Sequence, residues 1–259
     1  MIVRRFLPLL SLAWLGAGPA AMPAAAQSNQ PIYPVYDGFT VTEDGFHVIS
    51  FAYFSHNFDT VTVPPGPANA FETEPADRLQ PTTFEPGHHR FQCIMVMDAD
   101  FAGGLRWTLS HAGTTTSTSE DMLQYNWEFD DRTVRAVLRD VDVANAPRGV
   151  CLNRSPLVRF LGLRGGPDGE PPEVSVAVGA DLKLFGSVRD EGLPREGSLT
   201  SAWRMVAGPG RATFSAPDAP RTLARFDAPG AYELELRASD SVLETGLRLV
   251  VHVAAEGER

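Results

Sequence analysis

Residues Ala231 to Asp240 read Ala-Tyr-Glu-Leu-Glu-Leu-Arg-Ala-Ser-Asp. Tyr232, Leu234, Leu236 and Ala238 fall on one side of an extended chain. Glu233, Glu235 and Arg237 fall on the other. Alternation with a period of two predicts a β-strand with one dry face and one wet face. The C-terminal third of the chain is organised around this strand.

Working outward, strand-like runs recur at the spacing of a β-sandwich. They are Val174–Val178, Leu182–Val188, Leu199–Val206 with Trp203, Ala212–Phe214, Leu223–Phe226, and a last run in which Leu247, Leu249, Val251 and Val253 alternate. Trp203 is placed as the central core residue of a middle strand. Tyr232 follows Pro229-Gly230 and is placed as a tyrosine corner, ring in the core and hydroxyl tied to nearby backbone. Before these strands, residues 153–172 carry Ser-Pro, Gly-Gly-Pro-Asp-Gly and Glu-Pro-Pro. That composition predicts a short, stiff linker, with a candidate strand at Leu157–Leu161.

Four stretches here resemble the PKD-type immunoglobulin-like domain of bacterial extracellular proteins. They are Leu184-Phe185-Gly186-Ser187-Val188-Arg189-Asp190-Glu191-Gly192, Trp203-Arg204-Met205-Val206-Ala207-Gly208-Pro209-Gly210, Phe226-Asp227-Ala228-Pro229-Gly230-Ala231-Tyr232 and Leu236-Arg237-Ala238-Ser239-Asp240. The resemblance covers about 172–254. It departs at Ser241, where such domains often carry Gly. It implies a spacer, adhesion or protein-contact module and brings no catalytic residues with it.

The N-terminal half predicts a second sandwich over 31–152. Phe39-Thr40-Val41 runs into Glu43-Asp44-Gly45, a hairpin signal. The run Phe46–Phe54 is apolar on both faces, so it is either covered on both sides or presents an aromatic surface. Further strands are expected at Phe58–Val63, Arg90–Met97 and Leu105–Leu109, and an exposed edge strand at 114–119. Residues 64–89 are rich in Pro, Gly, Asn, Asp and Glu and are expected as one long loop. A short helix is expected from Asp131 as N-cap, with Val134, Val137, Leu138 and Val141 at helical spacing. Tyr36-Asp37-Gly38-Phe39, Phe51-Ala52-Tyr53-Phe54-Ser55-His56-Asn57, Val63-Pro64-Pro65-Gly66-Pro67-Ala68-Asn69 and Gln80-Pro81-Thr82-Thr83-Phe84 resemble a group of uncharacterised secreted bacterial proteins. That resemblance spans about 31–130; it implies export and supplies no activity.

Residues 1–26 read as a secretory signal peptide: Arg4 and Arg5, an apolar stretch Phe6–Leu15, and Ala24-Ala25-Ala26 before Gln27. No later apolar run is long enough to span a bilayer. The expected location is periplasmic or extracellular. With both leader arginines removed, the formal net charge of −10 becomes −12. So acidic a chain is expected to repel nucleic acid and anionic lipid.

Cys93 and Cys151 are the only cysteines. In an oxidising compartment they either form a disulfide or remain two buried thiols. Closing that loop contributes about 4 kcal/mol in the chain-entropy model.

No nucleophile elbow, P-loop or dinucleotide fingerprint is present. The sequence points to no catalytic, cofactor-binding or metal-ligand set. His88-His89 lacks partners at zinc spacing, and His56 with Asp59 reads as a pair of loop residues. Asp98 with Asp100, and Asp168 with Asp190 and Asp240, offer fewer oxygens than the six to eight that calcium takes. The best binding lead is the aromatic density between Tyr33 and Phe58, with Tyr36, Phe51 and Tyr53 as the candidate surface. Core packing explains the same residues. The expected protein is an exported, all-β, tandem immunoglobulin-like sandwich: a non-enzymatic binding, adhesion or structural protein with a PKD-like spacer module, for which a protein or a glycan is the candidate ligand. The alternative is a polysaccharide hydrolase or lyase using residues of the 64–89 loop. The sequence sets neither the ligand nor the oligomeric state.

Overall fold

The computed structural model describes residues 29–166 and 169–255. The expected signal peptide lies outside the described residues. The fold is all-β and built from immunoglobulin-like stacked sheets.

The first body contains β1 (Ile32–Val41), β2 (His47–Ser55), β3 (Val61–Thr62), β4 (Asn69–Phe71), β5 (Thr83–Phe84), β6 (Gly87–Met97), β7 (Trp107–His111), β8 (Thr114–Ser117) and α1 (Asp131–Val137). Its main sheets run β1-β2-β6 and β4-β7-β8, with β3-β5 as a small third pair. The Asp44-Gly45 turn closes the β1–β2 hairpin, and Gly45 takes φ +85° there. Strand β2 is covered on both faces. Ile49, Phe51 and Tyr53 enter an aromatic core with Phe71, Phe84 and Trp107. Val48 faces the other way, onto Ile94, Val96, Val137 of α1 and Leu152. A disulfide joins Cys93 in β6 to Cys151, inside the aromatic core.

Three expectations for this body need correction. The strand expected over Phe58–Val63 shrinks to Val61–Thr62, because its partner is only Thr83–Phe84, bounded by Pro81 and Pro86. The helix cap is Asp130: its carboxylate accepts from Thr133 N at 2.7 Å. The 64–89 stretch is no open loop, because it contains β4 and β5 and leads into β6. Buried Asn69 organises it. Its Nδ2 donates to Val63 O at 2.9 Å and Pro81 O at 2.8 Å, and its Oδ1 accepts from Trp107 Nε1 at 2.9 Å. Gln80 Nε2 donates to Asn69 O. The Arg78 guanidinium donates to the carbonyls of Gly149, Thr73 and Glu74.

The second body contains β9 (Leu157–Phe160), β10 (Glu173–Ala177), β11 (Leu182–Arg189), β12 (Thr200–Ala207), β13 (Ala212–Phe214), β14 (Arg221–Phe226), β15 (Gly230–Ser239) and β16 (Glu244–Ala254). Its sheets run β13-β14-β11-β9 and β10-β16-β15-β12, with β10 parallel to β16 and the other pairs antiparallel. Trp203 crosses the interior from β12. It stacks on Phe160 of β9 at 5.4 Å and on Phe214 of β13 at 6.3 Å. Tyr232 is buried, and its hydroxyl donates to Ala228 O at 2.9 Å. A side chain at Gly208 would collide with the Tyr232 ring, and one at Gly210 with the Tyr232 hydroxyl and the Asp227 carboxylate.

The stiff neck expected at 153–172 is also corrected. Strand β9 lies inside that stretch and pairs with β11 (Gly186↔Phe160 to Arg189↔Leu157), so it belongs to the second sandwich. The β11–β12 connection then reaches into the first body. Leu193 is 5% exposed and sits in the first body's aromatic core. Arg195 grips Asp77 with two hydrogen bonds of 2.6 and 2.7 Å and donates to Gln80 O at 3.1 Å.

Candidate functional site

Docking of that connection leaves a cleft of about 490 Å³ between the bodies. One wall is the outer face of the β9–β11 pair. In β9, Val158 and Phe160 turn inward, so alternation turns Leu157, Arg159 and Leu161 outward. Their register neighbours on β11 are Ser187 and Arg189. The opposite wall is the start of β6, with His88, Arg90 and Gln92. The end of α1 and the segment after it close the third side with Arg139, Arg154 and Ser155. A smaller recess of about 250 Å³ continues from it past His89, Gln92, Asp190 and Glu191. These volumes suit a small ligand or a short piece of polymer.

The cleft concentrates positive charge on an otherwise acidic chain. Arg90, Arg139, Arg154, Arg159 and Arg189 all line it. Arg90 is paired with Asp37 at 2.8 Å and Arg139 with Asp140 at 3.3 Å. Arg159 and Arg189 are exposed and, among the described residues, form no ion pair. Arg154 is 8% exposed. Its Nη2 donates to Ala136 O and Arg139 O, while its Nε has no partner among the described residues. Burial, then the neighbouring Arg139, lowers the pKa of its guanidinium.

Two carboxyls stand at the far end. Glu191 Oε1 accepts from Arg154 N at 2.6 Å. Burial, reinforced by Asp190, lifts Glu191 from 4.5 to about 7. Burial also raises Asp190, whose Oδ2 accepts from Gly192 N at 2.8 Å. Both groups come from the end of one strand, so they do not form a pair facing across the cleft.

Tyr36, Phe51 and Tyr53 do not form the expected surface. They are 3%, 0% and 2% exposed and belong to the core. They lie on the inward face of β1 and β2, where the second sheet covers them. Burial raises the pKa of both tyrosine hydroxyls, and Tyr53 Oη accepts from Glu85 N. On the opposite face lie exposed Tyr33 and His88, with half-buried Phe54 between them. Tyr33 of β1 is opposite Phe54 of β2, which is opposite His88 of β6. The His56 ring packs edge-on against Tyr33 at 5.4 Å and Phe54 at 4.6 Å. No hydrogen bond or ion pair joins His56 to Asp59 among the described residues.

His89 points away from His88, stacking on Tyr53 at 4.9 Å with Nε2 against Pro86 O. No group of three His, Cys, Asp or Glu side chains arranged to hold a metal occurs among the described residues. Asp98 pairs with Arg148 at 3.4 Å. Asp240 Oδ1 accepts from Val242 N and Leu243 N, and Asp168 lies outside the described residues. In the 64–89 stretch, Asn69, Arg78 and Gln80 are committed to internal hydrogen bonds, while His88 and His89 line the cleft.

The sequence offered one signal for the cleft. Arg159 and Arg189 alternate with core residues and so must face outward. That they face β6 depends on Leu193 and Arg195 docking on the first body, and no local pattern encodes that.

No family model matches the chain. Among solved structures, the D00-D0 domain of intimin aligns at 9% identity over 86% of this chain and 100% of that one, with a TM-score of 0.30. The PKD domain from KIAA 1837 protein aligns at 18% identity over 38% of this chain and 94% of that one, with a TM-score of 0.25. A quinonprotein alcohol dehydrogenase-like protein from Bacteroides thetaiotaomicron aligns at 13% identity over 32% of this chain and 17% of its own length, with a TM-score of 0.22. Superpositions this loose assign no function. No helix of the described residues is long and apolar enough to cross a membrane.

Proposed function

We propose that the chain is an exported, non-enzymatic binding protein of two modules, about 31–156 and 157–254, whose ligand enters the cleft between them. The observation that carries this reading is that neither module owns the cleft. Its walls come from β6 and α1 on one side and from β9 and β11 on the other. Leu193 and Arg195 hold those walls in register. The PKD-like module then acts as half of a binding site rather than as a spacer alone. Export rests on the leader-like residues 1–26 and on the resemblance of 31–130 to secreted proteins.

The test is to probe glycan arrays and panels of purified surface proteins with residues 27–259, alongside a Ser187→Trp variant. Ser187 lies on the cleft wall, so the indole fills the opening. A ligand captured by the parent and lost by a variant with an unchanged melting temperature supports the reading. A ligand captured equally by both places the binding surface elsewhere.

A further inference from the structure

We propose that the cleft binds an acidic glycan: its two unpaired arginines take a sugar carboxylate while the ring row leading into it stacks on the neighbouring sugar. This rests on the cleft being the binding site.

Three observations converge. Arg159 and Arg189 are diagonal neighbours on adjacent strands, since Arg159 is opposite Ser187, Arg189 is opposite Leu157, and only the Val158↔Val188 pair lies between. Their guanidiniums share one face, are exposed, and have no ion-pair partner among the described residues. A planar guanidinium matches a carboxylate with two parallel hydrogen bonds, so a free pair of them suits an oxyanion better than any neutral group. Behind them, the buried Arg154 brings a third cation whose Nε has no partner, a donor already removed from water. At the far end, burial lifts Glu191 to about 7, which weakens the opposing charge there.

The aromatic row separates a glycan from a bare anion. Tyr33, Phe54 and His88 follow one another across β1, β2 and β6 on the outer face of the sheet. His88 belongs both to that row and to the cleft lining, with its ring 6.2 Å from that of Phe54. The row therefore runs directly into the arginines. A ring face is electron-rich, and the C–H groups on the flat side of a pyranose carry partial positive charge, so such a surface holds sugar rings. An acidic polypeptide satisfies the arginines but has no use for the row.

Calorimetry on residues 27–259 with an oligogalacturonate, its carboxyl-reduced counterpart and poly-glutamate tests the proposal. The oligogalacturonate should bind, and more weakly as salt rises. The Arg159→Gln/Arg189→Gln double variant should lose roughly tenfold or more in affinity, since charge-assisted hydrogen bonds are removed. Tyr33→Ala should weaken oligogalacturonate and leave any poly-glutamate binding unchanged. Equal binding of the carboxyl-reduced oligomer overturns the role of the arginines. Poly-glutamate binding as tightly as the uronate overturns the glycan. Absence of oligogalacturonate binding overturns the inference too. If the arrays meanwhile yield a ligand that Ser187→Trp abolishes, the cleft stands as the site and only the ligand class is wrong.

Discussion

In the second body, Trp203 lies between Phe160 and Phe214, and strands β14, β15 and β16 deliver their core residues by alternation. In the first body, the equivalent place at the centre is shared by Phe51, Phe71, Phe84 and Trp107, and a buried amide, Asn69, holds the chain around them. One interior is specified by a repeating pattern of apolar residues. The other is specified by a few polar side chains that hydrogen-bond to backbone far along the sequence. Removing one contact should therefore do unequal damage in the two bodies.

Asn69→Ala gives the largest expected effect. It strips partners from Val63 O, Pro81 O and the Trp107 indole, all in the buried interior. Leaving such groups unsatisfied should cost roughly 3–5 kcal/mol in the first body. Tyr232→Phe in the second body removes one hydrogen bond, to Ala228 O, and should cost about 1 kcal/mol. Urea unfolding followed by tryptophan fluorescence and circular dichroism measures both. Equal losses would show that the contrast between the interiors is false.

Leu193→Ala tests whether the two bodies are one mechanical unit. This side chain comes from the β11–β12 connection yet is buried in the first body's core. Truncation should cost about 2–4 kcal/mol. It should also split a single unfolding transition into two, because the same segment carries Arg195 onto Asp77. A variant that still unfolds in one step would mean that the coupling lies elsewhere along the junction.

These contrasts follow how much of the molecule was legible in the sequence. Ala231–Asp240 showed its strand plainly, and β15 spans Gly230–Ser239, because one face is dry and the other wet. The both-faces-apolar run at Phe46–Phe54 announced a strand but left open whether it was covered on both sides or presented an aromatic surface; the structure covers both faces. The 64–89 stretch hid its order, since its prolines mask β4 and β5 and nothing local marks Asn69 as a buried hub. The same limit misdirected the search for a surface. Tyr36, Phe51 and Tyr53 are the denser aromatic set, but Tyr33, Phe54 and His88 are the outward one. Only the pairing of β1, β2 and β6 decides which parity faces out.

Glu191 sharpens the comparison at the junction itself. Its carboxyl rises from 4.5 to about 7 on folding, chiefly through burial. Between those values the unfolded chain has released the proton that the folded chain still holds, so raising the pH favours unfolding. Stability should be greatest below about pH 4.5 as far as this group is concerned. It should fall toward pH 7 by at most about 1.4 kcal/mol per pH unit. Glu191→Gln keeps an oxygen for Arg154 N and removes the titration. Its stability should show a flatter pH dependence over that window, measured by urea midpoints at several pH values. An unchanged slope would assign the dependence to another group.

Ser241 gives the smallest effect and the finest contrast. It sits at φ +88°, a backbone conformation that favours glycine. Its hydroxyl accepts from Ser198 N at 3.0 Å and donates to Ser198 O at 3.3 Å, and this links two turns. Ser241→Gly relieves the backbone and loses both bonds, so the two effects, each about 1 kcal/mol, should nearly cancel. Ser241→Ala keeps the unfavourable φ and loses the same bonds, so it should be the weaker of the two variants by about 1 kcal/mol. Thermal melts of the pair separate backbone from side chain at this turn. If alanine matched glycine, the hydroxyl alone would explain the residue, and the positive φ would carry no cost there.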